Sequence, residues 1–152
     1  MRLSEKEISD PRTIDAILNG ALVCRIALAA GNTPYVVPVN FAVEDGVLYF
    51  HSAVSGRKID MLRQNASVCF EVDLPGDMIA GETACSWSMK FQSVIGFGQA
   101  RFIEKSHEKI KALDILMKKY AGVDSFCYAH TALDKVCVIG VKIETLSGKQ
   151  SF

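Results

Sequence analysis

The segment from Leu48 to Asn65, LYFHSAVSGRKIDMLRQN, holds the residues best suited to chemistry: an imidazole at His51, a hydroxyl at Ser52, and the cations Arg57 and Lys58 directly after Gly56. Val47 to Phe50 form an apolar, aromatic run typical of a strand, so His51, Ser52 and Ala53 fall where that strand would leave one end of a sheet. Ser55 reads as the N-cap of a helix that Arg57, Lys58, Ile59, Asp60, Met61, Leu62 and Arg63 continue, with Gly56 permitting a close backbone turn. Free amides of the first helical turn would then share a space with two cations. Those N–H groups, the positive end of the helix dipole, a guanidinium able to hold two oxygens and an ammonium point charge together make a receptor for a phosphate. A solvated Arg-Lys pair on an ordinary helix is the other reading of the same residues. No GxxxxGK[ST] sequence occurs, and Gly96-Phe97-Gly98 lacks the third glycine and following helix of a dinucleotide fingerprint.

Cysteine and histidine chemistry outside this segment is sparse. The five cysteines, Cys24, Cys69, Cys85, Cys127 and Cys137, contain no CxxC pair, and their odd number cannot be consumed by internal disulfides. Reduced thiols are expected, with Cys24, Cys69 and Cys137 serving as small core residues of apolar strands. No Cys/His spacing resembles a closed zinc site, so no metal is expected. His107 opens a helix and should be solvated, whereas His130, after Phe126-Cys127-Tyr128, could approach a pocket.

These residues must be positioned by the rest of the chain. Asp10-Pro11 opens a helix that Gly20 stops. Residues 21 to 30 read as a largely buried strand ending at Gly31-Asn32, and residues 35 to 43, YVVPVNFAV, as its hairpin partner. Pro38 cannot donate to a ladder, so a gap there should free backbone groups around Val39 and Asn40. Glu44-Asp45-Gly46 turns into the strand that ends at His51, and Ala66 to Asp73 forms another. Leu74 to Ala84 reads as an irregular excursion, a lid or rim. Residues 86 to 105 read as a long strand or bent pair in which Gly96 and Gly98 permit a sharp bend or close approach. Ser106 to Tyr120 is a helix with Ile110, Leu113, Leu116 and Met117 on one face and Gly122 after its end. Residues 135 to 143 supply a closing strand before a polar tail.

The expected fold is therefore mostly β with peripheral α-helices: about six antiparallel strands in a barrel or sandwich, with three helices, as a single domain over residues 1–152. Two strands, 22 to 30 and 135 to 143, are apolar enough to be buried on both faces, which predicts a homodimer burying a broad sheet face. Seventeen basic against seventeen acidic residues leave no broad electrostatic footprint for nucleic acid. The sequence has neither an N-terminal signal nor an apolar run of roughly 20 residues, so no membrane association is expected and the cytoplasm is the expected compartment.

The segments PYVVPVNFAVEDGVLYFHSAVSGRK and FQSVIGFGQARFIE, with the terminal SGK, resemble the flavin-binding split-barrel superfamily that includes pyridoxamine 5'-phosphate oxidase. Within it the chain most resembles the nitroimidazole-resistance (Nim-type) proteins. The ordered combination covers nearly the whole chain. The resemblance implies an FMN-binding split β-barrel that is homodimeric, with two flavin sites at the subunit interface and FMN, or FAD, as cofactor.

It also implies residue roles. Arg57 and Lys58 would hold the flavin phosphate, with Ser52 and Gly56 contributing hydrogen bonds. Val39, Asn40 and Phe41 would line the isoalloxazine ring, and Ser93 and Val94 would contact the ring or the ribityl chain. His51 would lie beside the cofactor pocket and act in catalysis as a proton donor to a small-molecule electron acceptor, since an imidazole titrates near neutral pH. The function implied is a flavin-dependent reductase acting on a nitroimidazole or another nitroaromatic. A non-catalytic flavin carrier or sensor, and a haem-binding split-barrel protein with His51 as axial ligand, are the alternatives. The chain lacks the fuller set of basic residues that pyridoxamine-phosphate oxidases use for their substrate, which disfavours vitamin B6 oxidation.

Overall fold

A computed structural model describes residues 4–123 and 126–152 of the 152-residue chain. The described residues form eight strands and four α-helices: β1 Glu7–Ile8, α1 Pro11–Gly20, β2 Cys24–Ala30, β3 Thr33–Val39, β4 Phe41–Glu44, β5 Val47–Ala53, α2 Arg57–Gln64, β6 Ser67–Ile79, β7 Ser88–Ile103, α3 Ser106–Ala121, α4 His130–Leu133 and β8 Val136–Ser151. All pairings are antiparallel, in the order β3-β2-β6-β7-β8-β5-β4, with β1 added to β8. The mostly β, antiparallel expectation holds, but six strands become eight.

Two differences account for that count. β1 is only two residues long and is held by the second half of β8, Glu7 opposite Lys149 and Ile8 opposite Gly148. The single strand expected over residues 35 to 43 splits at Asn40: its first half pairs with β2 and its second with β5. β3 and β4 are thus the two ends of the sheet and yet consecutive in the chain, so the sheet closes through Asn40. Pro38 sits in register opposite Arg25 on the terminal strand β3, where its missing N–H costs no ladder bond. The ladder gap lies at Asn40, two residues later than the proline suggested.

The first half of the expected irregular excursion, Leu74 to Ile79, is strand. β6 continues to Ile79 and pairs with β7 through a register shift between Pro75 and Met78, and residues 80–87, with a short turn at Ala84–Ser86, form the irregular connection. β7 is one continuous strand in which Gly96 and Gly98 serve close approach, and its register with β8 shifts between Phe97 and Gly98. A Cβ on Gly96 would meet the Phe70 ring, and one on Gly98 the Lys142 carbonyl oxygen. The polar tail belongs to β8, which runs unbroken to Ser151 beside β7.

The barrel interior is filled by Ile26, Phe41, Leu48, Phe50, Phe70, Val72, Val94, Ile139 and Val141, with Ile17 and Leu18 of α1 and Ile59 and Leu62 of α2 packed into the same cluster. A second cluster sits on the outside of the barrel, where Ala112, Leu113 and Leu116 of α3 cover Ala42, Ile103 and Val138. Within one chain β2 is buried on one face only: Cys24, Ile26 and Leu28 point inward, while Arg25 and Ala29 stay exposed. Among the described residues no helix is long and apolar enough to cross a membrane.

Candidate functional site

β5 and the helix after it place two sets of chemical groups on opposite sides of one strand. Successive strand residues face opposite ways, and in β5 Leu48 and Phe50 point into the barrel while Tyr49 packs under α3. Ser52 follows the inward set and His51 the outward one. The exposed turn of residues 53 to 56 joins the two faces.

On the first side stands the start of α2. The cap is Gly56, not Ser55: Gly56 takes φ 124° and ψ 170°, a backbone region that disfavours a side chain, and no side chain caps the helix. The first intrahelical bond runs from the Asp60 N–H to the Gly56 carbonyl at 3.0 Å, so the N–H groups of Arg57, Lys58 and Ile59 precede the ladder. The Arg57 guanidinium lies 4.8 Å from the centre of the Tyr35 ring and the Lys58 ammonium 5.8 Å from that of Phe50. Neither forms an ion pair among the described residues. Lys58 is half-buried, and burial lowers its pKa below the ordinary lysine value despite the nearby Cys137. Two cations, one partly desolvated, and three spare backbone donors thus stand at one helix start with no acid at ion-pair distance among the described residues, an arrangement suited to a phosphate group.

On the second side His51 opens into a cavity of about 360 Å³ between the barrel wall and α3, with Asn40, Leu113, Leu116, Met117, Tyr120 and Tyr128. That volume lies at the lower end of small-molecule sites. Asn40 enters because it is the unpaired residue of the barrel seam. Its side-chain N–H donates to the Leu22 carbonyl at 3.3 Å. The Tyr120 hydroxyl donates to the same carbonyl at 2.8 Å, accepts from the Phe41 N–H at 2.9 Å and lies 3.1 Å from the Phe41 carbonyl. Tyr128 donates to Asp114 at 2.9 Å, and burial followed by that carboxylate pushes its pKa up to about 12.

The remaining expected site residues are distributed differently. Val39 and Phe41 flank Asn40 but turn their side chains into the barrel, leaving only backbone toward the seam. Ser93 and Val94 do not line the His51 cavity. They lie on β7, opposite Asp73 and Val72 of β6, with the Val94 side chain fully buried. His107 is exposed beside Glu108, and His130 is exposed at the start of α4. Among the described residues no three His, Cys, Asp or Glu cluster as a metal site would require.

Tyr120 and Tyr128 escaped the sequence reading. Tyr120 extends the stripe Leu113, Leu116, Met117 by one further turn of α3, and that spacing was the available signal. Tyr128 follows an irregular connection whose path no periodicity fixes.

Comparisons with known proteins agree with this fold. The family profile described as pyridoxamine 5'-phosphate oxidase matches residues 10–150. A candidate 5-nitroimidazole antibiotic resistance protein from Bacteroides thetaiotaomicron VPI-5482 is similar in structure, with TM-score 0.85 and 36% identity over 95% of this chain and 86% of that one. The flavocytochrome Anf3 from Azotobacter vinelandii has TM-score 0.86 at 20% identity, over 100% of this chain and 72% of its own. The FAD and heme binding protein from Mycobacterium smegmatis has TM-score 0.87 at 18% identity, over 96% and 73%. At those identities the last two are likenesses of fold. No curated protein matches the chain.

Proposed function

The chain belongs to the pyridoxamine 5'-phosphate oxidase family, and from that premise we propose that it is a flavin-dependent reductase, with FMN as the expected cofactor, acting on a small acceptor such as a nitroaromatic compound. The observation that carries the flavin half of this reading is the pair Arg57 and Lys58, set at the open start of α2 with no carboxylate of the described residues at ion-pair distance, Asp60 of the same turn included. A ribityl phosphate supplies the missing charge. Arg57 takes two of its oxygens, Lys58 acts as a point charge, the spare N–H groups of the first turn complete the cradle, and Gly56 lets the backbone come close. Ser52, on the same face of β5, adds a hydroxyl.

The acceptor half rests on the His51 cavity. The flavin, when bound, supplies the electron-transfer chemistry, and the protein supplies position and access. Leu113, Leu116 and Met117 give the cavity apolar walls that exclude water, and His51 holds a proton at its mouth, available to the acceptor as electrons arrive. Asn40 and the backbone of Val39 and Phe41 line the seam beside it. Ser93 faces outward on β7 and can meet a flavin held between two copies of the chain, whereas Val94 can contribute only backbone. The cavity lining holds no lysine or arginine, which suits an unphosphorylated acceptor and not a B6 phosphate.

The test begins with the absorbance spectrum and extracted cofactor mass of the purified protein, which distinguish FMN, FAD and haem. Arg57→Ala with Lys58→Ala is then expected to weaken flavin binding by about a hundredfold or more, since two charge-assisted hydrogen-bonding groups are lost, with the circular dichroism spectrum unchanged. Unaltered affinity in the double variant would remove the phosphate assignment. A flavin-loaded protein that reduces no nitro compound when supplied with NAD(P)H would remove the reductase.

A further inference from the structure

The cavity beside His51 carries more information than its apolar walls, because the hydrogen bonds of its polar residues are already partly committed. Asn40 carries two amide N–H donors and one carbonyl oxygen, and how they face a ligand depends on what holds the nitrogen. Here the partner is a backbone carbonyl, that of Leu22, which can only accept. The side-chain nitrogen must therefore point to it, as its 3.3 Å contact records. The amide oxygen of Asn40 and its second N–H have no partner among the described residues.

The neighbouring groups reinforce the same polarity. The Tyr120 hydroxyl spends its proton on the Leu22 and Phe41 carbonyls and a lone pair on the Phe41 N–H. Tyr128 spends its proton on the Asp114 carboxylate, which stands directly behind it. The three fixed oxygens of the cavity, those of Asn40, Tyr120 and Tyr128, thus offer acceptors against one spare N–H of Asn40, a carboxylate lies one hydrogen bond beyond Tyr128, and no lysine or arginine lines the wall. His51 is the one group able to donate or accept as its protonation dictates.

Resting on the assignment of this cavity as the acceptor site, we propose that Asn40 determines ligand choice: its amide oxygen accepts from a ring N–H of an uncharged, flat heteroaromatic ligand, and anionic ligands are refused. The ring stacks against Leu113, Leu116 and Met117, its N–H meets Asn40, and an acceptor group at the far side of the ring meets His51. An anion fails because desolvating it finds three acceptor oxygens and a nearby carboxylate, with a single neutral N–H, where it needs several donors.

Three probes read this directly by calorimetry at neutral pH: 2-methyl-5-nitroimidazole, which carries a ring N–H, its 1,2-dimethyl analogue, which does not, and 4-nitrobenzoate. The native protein is expected to bind the N–H compound about five- to tenfold more tightly than the methylated one, the usual worth of one hydrogen bond, and to bind the benzoate least. In Asn40→Leu, which keeps the volume and removes the acceptor, the N–H preference should vanish while the thermal midpoint stays within a few degrees. Equal binding of the two imidazoles by the native protein, or a preference that survives in Asn40→Leu, would overturn the role of Asn40 and leave the acceptor site standing. Binding of none of the three by flavin-loaded protein would remove the acceptor site itself, and this inference with it.

Discussion

Lys119 is the residue at which burial and charge are in sharpest conflict. Its ammonium lies 3.6 Å from the centre of the Phe41 ring and donates to the Leu18 carbonyl at 2.8 Å, with no carboxylate at ion-pair distance among the described residues. Burial brings its pKa down from 10.5 to about 8. Between those values the unfolded chain holds a proton that the folded chain has released, so stability from this group rises with pH across that window. Cys24, fully buried and pushed up to about 12 by desolvation, acts oppositely above pH 9, because there the unfolded thiol ionises first. Comparing native protein with Lys119→Met removes the part of the cysteine contribution that comes from burial, leaving only the electrostatic coupling between Lys119 and Cys24. The stability difference measured by urea unfolding should shift in favour of the native protein between pH 8 and 10.5, and a flat difference would refute the assignment. None of this was legible beforehand, since a lysine in a basic Lys118-Lys119-Tyr120 run reads as solvated. The placement of Arg57 and Lys58 at a helix start and of His51 near a strand end was legible, because glycine before a basic first turn and an imidazole after an apolar run are local patterns that need no knowledge of the partners.

The seam between β3 and β4 is made secure by α3. Phe41 follows the ladder break, and its N–H and carbonyl would face a gap if the Tyr120 hydroxyl did not take them up. Tyr120→Phe keeps the ring in place and removes that bridge, leaving the Phe41 amide to find water while the Leu22 carbonyl keeps only the Asn40 N–H. A loss of about 1–2 kcal/mol is expected, within the range for a broken hydrogen bond that leaves unsatisfied groups. The discriminating measurement is hydrogen exchange: the Phe41 amide should exchange faster in the variant, while amides deep in the β6–β7 ladder, such as those of Phe70 and Val72, change only with global stability. Equal protection of Phe41 in both proteins would mean the tyrosine carries no weight at the seam. The elements themselves were mostly readable from alternation and turn residues. The errors fell where tertiary pairing decides: Pro38 was visible, but only the closing of the sheet reveals that the chain changes partners at Asn40. Leu74 to Ile79, with a proline and a glycine, becomes strand because β7 is long enough to pair with it.

The outer face of the barrel bears on how many chains make the working molecule. Val36, Ala27, Cys69 and Phe97 stand side by side across β3, β2, β6 and β7, and Val36 and Phe97 are 59% and 53% exposed. Ile95 extends this apolar row, and Arg25, bridged to both Glu71 and Asp73, borders it with charges that are already paired. A row of this kind costs solubility in a monomer, whereas a second copy laid on it would bury large side chains worth about 1.5–3 kcal/mol each when fully covered. We therefore expect a homodimer through this sheet face, which would bring Ser93, on the same strand as Phe97, toward the partner's flavin. Sedimentation of native protein should give a dimer at micromolar concentration. Val36→Glu with Phe97→Glu sets like charges across the two-fold axis, where repulsion and the desolvation of four carboxylates oppose contact, so this variant should sediment as a folded monomer. If the flavin site is shared between copies, the monomeric variant should also lose at least tenfold in flavin affinity with Arg57 and Lys58 intact. A native monomer would end the dimer proposal, while a monomeric variant that keeps full affinity would place the whole flavin site within one chain and leave Ser93 outside it.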